Sequence, residues 1–195
     1  MIKYCFILLI LILSFSCSWD WKFNKESCGF PIKSLNNEYE TNEINGRCWM
    51  IENMMDGTPI SQYKQIDPGN SILEVFIRSD KKYGGYYRFS EVYSLSLTPG
   101  KISGICPQGW RLPLESEIQG LILFYKDNID KLISDLSLDT SGYYNSSLTG
   151  IISNDGYLML PNFRSFYFSK SSKKASIETH PNDDILVCVR CIQDN

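Results

Sequence analysis

From residue 45 onward, apolar positions alternate with polar ones or recur at helical spacing. Asn45-Gly46 is a turn dipeptide. After it, Cys48 and Met50 alternate with Trp49 and Ile51 as in a strand, a series that Glu52 can extend, until Asp56-Gly57-Thr58-Pro59 breaks it. A second strand is predicted over Ile72 to Ile77, after the Pro68-Gly69 turn. Tyr86, Phe89, Val92 or Tyr93, and Ser96 or Leu97 share one helical face, which Pro99-Gly100 ends. Ile118, Leu121, Ile122 and Tyr125 predict a helix over about 115–125. Ile129, Leu132, Ile133 and Leu136 continue that spacing as an extension or a short third helix. Asn154-Asp155-Gly156 reads as a hairpin turn between Ile151-Ile152 and Tyr157 to Leu160. Phe163 to Phe168 is a further apolar segment, and Lys170 to Lys174 is an exposed polar stretch. In a closing strand from Ile185 to Ile192, Val187, Val189 and Cys191 point one way and Cys188, Arg190 and Ile192 the other. Helices and strands without a repeating βα order predict one α+β domain.

The stretch from Gly104 to Phe124 organises the rest. Cys106-Pro107 opens it, Gly109 permits a sharp turn, and Trp110 is large and apolar enough to bury. Pro113 precedes Glu115 and Glu117, which suit the positive end of a helix dipole.

The N-terminus carries an address. Lys3 is followed by an apolar run from Phe6 to Leu13, too short to span a bilayer, so residues 1–16 read as a signal peptide. Ser16-Cys17 resembles the lipobox of bacterial lipoproteins, which implies lipidation of Cys17 with a fatty acid such as palmitate. The alternative is an ordinary signal peptide, with Cys17 removed or paired. Residues 17–43 read as a tether or first strand, and 44–195 as the domain proper. The net charge of −3 argues against nucleic acid as a partner.

Seven cysteines fit an oxidising compartment. Once Cys5 leaves with the signal and Cys17 takes lipid, Cys28, Cys48, Cys106, Cys188 and Cys191 remain, an odd number. No spacing suggests zinc. Cys188-Val-Arg-Cys191 lies among β-formers and not at a helix start, so a redox role is disfavoured.

Four pieces, in this order, resemble the Fibrobacter succinogenes major paralogous domain family: Cys48-Trp49-Met50-Ile51-Glu52-Asn53-Met54, Tyr83-Gly84 through Tyr87, Cys106-Pro107-Gln108-Gly109-Trp110-Arg111-Leu112-Pro113, and Val189-Arg190-Cys191-Ile192. The resemblance covers about residues 44–194. It implies a C-type-lectin-like fold with two main helices and small antiparallel sheets, on an exported protein that is often a lipoprotein. It also implies a disulfide between Cys106 and Cys191. Cys28 with Cys48 is then the second pair, and Cys188 is left over. The chain departs from the family at Leu114, which stands where a Ser or Asp usually caps the helix, and in Phe166 to Ser172, which matches only loosely.

Sugar-binding C-type lectins carry E-P-N or Q-P-D and W-N-D triplets that supply calcium ligands. This chain has Leu160-Pro161-Asn162, in which leucine replaces the acid, and His180-Pro181-Asn182-Asp183-Asp184, which lies near the matching end of the chain and offers three oxygen ligands, so Asn162, Asn182, Asp183 and Asp184 are the candidate ligand-binding residues. A solvated turn capped by Pro and Asn explains the same residues and is the preferred reading. His180, the single histidine, has no nucleophile motif around it and is read as a surface residue. Tyr83 to Phe89 and Tyr143-Tyr144 could stack on sugars, although core packing explains them as well. The expectation is a non-catalytic binding or adhesion module for glycan or protein, without a cofactor, held at the cell envelope by its lipid, with the outer membrane or cell surface as its place. A secreted or periplasmic protein is the alternative location. A purely structural envelope lipoprotein with protein partners is the alternative function, and an enzyme ranks last.

Overall fold

The computed structural model describes residues 28–61, 67, 70–79, 82–94, 104–126, 128–138, 141–145, 155–181 and 185–194. The signal peptide at 1–16, Cys17, the Pro68-Gly69 and Pro99-Gly100 turns, Ile151-Ile152, and Asn182, Asp183 and Asp184 lie outside the described residues.

The chain begins with two hairpins. In the first, β1 (Ile32–Ser34) and β2 (Asn37–Tyr39) join through Leu35-Asn36. In the second, β3 (Thr41–Ile44) and β4 (Arg47–Met50) turn at Asn45-Gly46, with φ of 52° and 70°. Asn and Gly are the residues that take two successive left-handed positions at least cost. Residues 28–43 therefore belong to the packed body and are not a tether. Ile32 and Tyr39 are buried, the Tyr39 hydroxyl accepts the Met55 N–H at 2.9 Å, and Cys28 is bonded to Cys48. Burial, first of all, raises the Tyr39 phenol pKa above its usual value.

Most of the remaining strands form one sheet. Its members are β5 (Thr58–Ile60), β6 (Glu74–Ile77), β7 (Gly85–Arg88), β9 (Tyr144–Asn145), β10 (Gly156–Leu160), β11 (Arg164–Ser169), β12 (Lys174–Thr179) and β13 (Ile185–Cys188). The order is β12-β11-β10-β13-β7-β6-β5, with β9 also beside β13. A four-stranded sheet, β3-β4-β14-β8, adds β8 (Trp110–Arg111) and β14 (Ile192–Gln193). Three helices complete the described residues: α1 (Phe89–Ser94), α2 (Glu115–Tyr125) and α3 (Ile129–Asp135). The protein is α+β and mostly sheet. Instead of only small antiparallel sheets, it has an eight-stranded one, in which β5 with β6 and β10 with β13 run parallel. Pro59 is tolerated in β5 because that strand lies at the sheet edge.

Each face of the large sheet is covered. On one face, Leu158, Leu160, Phe166, Phe168 and Leu186 pack with Ile118 and Leu121 of α2 and Leu132 of α3. On the other, Tyr87, Met159 and Val187 pack with Tyr39, Met50, Met54 and Phe89. Two-sided burial explains why Cys48, Trp49 and Met50 are all inside: the alternation separates two cores, not core from solvent.

Several predicted elements change identity. Tyr86 sits in β7 and not on the first helix, which starts at Phe89. The closing strand is two strands, β13 and β14, in different sheets. Val189 to Cys191 carry the crossing, yet the predicted alternation of sides survives, because Val187, Val189 and Cys191 share one core while Cys188 and Ile192 share the other. Lys174–Thr179, not predicted at all, forms β12.

Gly156 is not a turn residue but the first residue of β10, opposite Phe168 of β11. A Cβ there would lie 1.9 Å from the Phe168 ring, which is itself 1% exposed and has no free space to swing into. Gly156→Ala is expected to destabilise by about 3 kcal/mol, the upper end for overpacking. Adding Phe168→Leu should recover part of that loss. Chemical denaturation of the single and double variants checks this, and simple additivity would contradict the overlap.

The start of α2 shows how the missing cap is replaced. Leu114 makes no side-chain cap, but Glu117 reaches back to accept the Leu114 N–H at 2.8 Å. Glu117 also accepts two hydrogen bonds from the Arg111 guanidinium, each 2.8 Å, while Arg111 Nε reaches Asp194 at 3.2 Å. Burial works against the Glu117 charge, but the Arg111 contacts, the Leu114 N–H and the Arg47 charge outweigh it and hold the pKa below the usual carboxylate range. Glu115 pairs with Arg164 of β11. The two acids read as dipole partners are thus also the pins between α2 and both sheets.

Candidate ligand-binding site

The tight turn from β10 to β11 carries Asn162 to one end of the large sheet. Asn162 and Phe163 both take positive φ, 61° and 55°. Asn accepts this readily; Phe163 is held there by its neighbours. Its N–H donates to the Tyr93 hydroxyl at 3.2 Å, and its carbonyl accepts the His180 N–H at 2.8 Å. The Tyr93 hydroxyl in turn donates to the Leu160 carbonyl at 2.9 Å. Register therefore brings the Leu160-Pro161-Asn162 and His180-Pro181 segments side by side. Asn162 is exposed, and its side chain has no hydrogen-bond partner among the described residues.

Beside it lies an aromatic ledge. Phe163 stands edge-on to Tyr93, with ring centroids 5.6 Å apart, and is 5.7 Å from Phe89, against which His180 also lies at 5.7 Å. His180 is not a surface histidine. It is half-buried, and its Nε2 lies 2.7 Å from the Oγ of Ser165, a residue with no exposed area. β12 ends at Thr179, and the register with β11 turns the ring inward instead of leaving it in a loop. Burial lowers the His180 pKa, so the imidazole is neutral at pH 7. As the single histidine, it gives one resolvable imidazole signal in an NMR titration. The expected midpoint is below the unfolded value of about 6.5, and stability should decline as pH falls from there towards the folded midpoint. A midpoint above 6.5 would contradict the burial.

A second feature is a cleft of about 380 Å³ rimmed by Glu38, Glu40 and Glu52, with Tyr83 and Lys82 on its wall and Arg190 in its lining. Glu52 accepts the Glu40 N–H at 3.0 Å. Arg78 and Lys82 lie over the Tyr83 ring, 5.0 and 4.8 Å from its centre, so one predicted stacking surface is already occupied by cations. Tyr86 and Tyr144 are core residues packed edge to face, with ring centroids 5.0 Å apart.

Behind this cleft the four sequence pieces meet. Asn53 donates to the Tyr83 carbonyl at 2.9 Å, and its Oδ1 accepts two hydrogen bonds from Arg190, at 2.9 and 3.1 Å. Gly84, at φ 80°, passes so close to Asn53 that a Cβ would lie 2.6 Å from it. Cys106 and Cys191 are bonded, as are Cys28 and Cys48, while Cys188 is a buried thiol outside both disulfides. Its thiol lies 3.5 Å from both the Tyr83 carbonyl and the Ser141 hydroxyl.

No protein-family model matches the chain, and neither a curated protein nor a solved structure matches it.

Of the four candidate ligand-binding residues, only Asn162 is among the described residues. Among the described residues, no cluster of three His, Cys, Asp or Glu could hold a metal ion. Tyr93 and Ser165 were not legible as parts of this end of the sheet. Ser165 shows in the sequence only as a polar step in an alternating strand, and Tyr93 only as one of two options on a helix face.

Proposed function

We propose that the protein is an exported, lipid-anchored surface protein whose C-type-lectin-like domain binds glycan or protein without catalysis. The main support is the convergence of Cys48 to Met54, Tyr83-Gly84, Cys106 and Val189 to Ile192 into one knot of a disulfide and an Arg190–Asn53–Tyr83 chain of hydrogen bonds. These are the pieces that resemble the major paralogous domain family, and each has a physical reason to sit beside the others. Disulfides also suit a compartment outside the cytosol. The exposed Asn162 amide beside the Phe163 ring offers hydrogen bonding and an apolar edge, the combination that a sugar or a polar peptide takes.

Binding of the exported chain to a glycan array and to immobilised matrix proteins tests the reading, with Asn162→Ala and Phe163→Ala expected to weaken the signal. Palmitate-analogue labelling that is present in the wild type and absent in Cys17→Ala tests the anchor. A structural envelope lipoprotein is the second reading. Its observation is the acid-rimmed cleft, which suits a basic segment of a protein partner, and crosslinking in the native envelope would reveal that partner.

A further inference from the structure

The strand β12 ends the large sheet. Its inner edge pairs with β11 over six residue pairs, from Ser169 with Lys174 to Arg164 with Thr179. Its outer edge pairs with no strand among the described residues. It contains neither Pro nor Gly, and an edge of this length presents a row of unpaired N–H and C=O groups, a template for another strand. Lys174 and Glu178 have no ionic partner among the described residues.

The sequence of this edge is self-complementary. We propose that two copies of the chain join through their β12 strands, antiparallel and centred on Ser176, to make one continuous sheet. In that register Lys174 faces Glu178 of the second copy, twice, on one side of the sheet. Ala175 faces Ile177 of the second copy, twice, on the other side. These apolar residues already lie partly buried at the margin of the core. Moving the centre by one residue towards Ile177 sets Lys174 opposite His180, and moving it towards Ala175 sets Lys174 opposite Ser176. Centring between Ser176 and Ile177 sets Ala175 opposite Glu178. Only the Ser176 register gives both charge pairs and both apolar pairs.

Two further features fit. Burial, and then the charge of Asp155, raise the Glu178 pKa. A lysine from the second copy supplies the missing counter-charge. The two-fold axis stands perpendicular to the joined sheet, so both copies of α2, which packs against β12, lie on the same face. That helix exposes Leu123 at 74% and Phe124 at 57%, apolar area on an element that packs against β12.

The test uses the exported chain carrying Cys17→Ser, so that no lipid drives association. Sedimentation equilibrium is expected to give twice the monomer mass. K174E and E178K should each weaken the dimer roughly tenfold or more, because each turns two attractive pairs into repulsive ones. The swapped double variant K174E/E178K should restore it. S176C should crosslink copies under mild oxidation and A175C should not, since cross-strand Cα atoms about 4.5–5.5 Å apart suit a disulfide only at the axis. A monomer at all concentrations, a dimer indifferent to the charge variants, or crosslinking through A175C in place of S176C would overturn the proposal. So would a β12 edge occupied by a different protein.

Discussion

Cys106→Ala together with Cys191→Ala lowers the free energy of unfolding by about 4–5 kcal/mol in the chain-entropy picture. The bond closes a loop between residues 85 apart, from the turn before β8 to the crossing between β13 and β14. Opening it returns to the unfolded chain all the freedom of that loop, which contains α2, α3 and five strands of the large sheet. Cys191 is fully buried and its sulfur lies 3.2 Å from that of Met54, so the site is also part of the core. A domain of this size has a total stability of about 5–15 kcal/mol, so the loss is a large share. Denaturant midpoints of wild type and double variant measure it. The Cys28–Cys48 bond spans 20 residues, and its removal should cost about 3 kcal/mol. Equal and small effects, below about 1 kcal/mol for each bond, would mean that native packing and not chain restriction holds the fold.

Arg190→Met is expected to cost about 3–5 kcal/mol, although Met fits most of the volume. Arg190 is 1% exposed and its guanidinium feeds three acceptors in two places: the Asn53 Oδ1, and the Leu136 and Ser137 carbonyls in the turn that ends α3. Removing it leaves the buried Asn53 Oδ1 and Leu136 carbonyl without that donor, and each such loss costs about 1–3 kcal/mol. Arg190→Lys should recover only part, since an ammonium cannot divide among the three in a planar fork. Because Arg190 also lines the acid-rimmed cleft, both variants should alter its shape. Proteolysis of the 51–55 and 136–138 segments, faster in Arg190→Met than in wild type, would locate the damage. A variant as stable as wild type would mean that water satisfies the acceptors.

Helices were the most legible part of the chain. Periodicity placed α2 at 115–125 and helical residues from Ile129 on, because a helix is specified by neighbours three and four residues apart, but it left open whether these extend α2 or form a separate α3. Strands with a turn dipeptide between them were nearly as clear, as at Asn45-Gly46. β12 was missed because its Lys-Ala-Ser-Ile-Glu-Thr sequence is polar enough for a loop; pairing with β11 makes it a strand. Gly156 was misread because a glycine beside Asn154-Asp155 suggests a turn, and only the position of Phe168 reveals the steric reason for it.

The sequence by itself determined the α+β class, the turn ahead of α2 and the core faced by Val187, Cys188, Val189, Cys191 and Ile192. These depend on short-range spacing. The cysteine pairings were legible only through the family resemblance, which implied Cys106 with Cys191 and left Cys28 with Cys48. Tertiary structure alone decided that β13 and β14 enter different sheets, that His180 turns inward to Ser165, and that Arg190 finds Asn53 at a separation of 137 residues. Each of these depends on partners beyond the reach of a helical or strand repeat, from 15 residues away for His180 with Ser165 to 137 for Arg190 with Asn53. No local periodicity records them, because their energy exists only once the two cores have closed around the sheet.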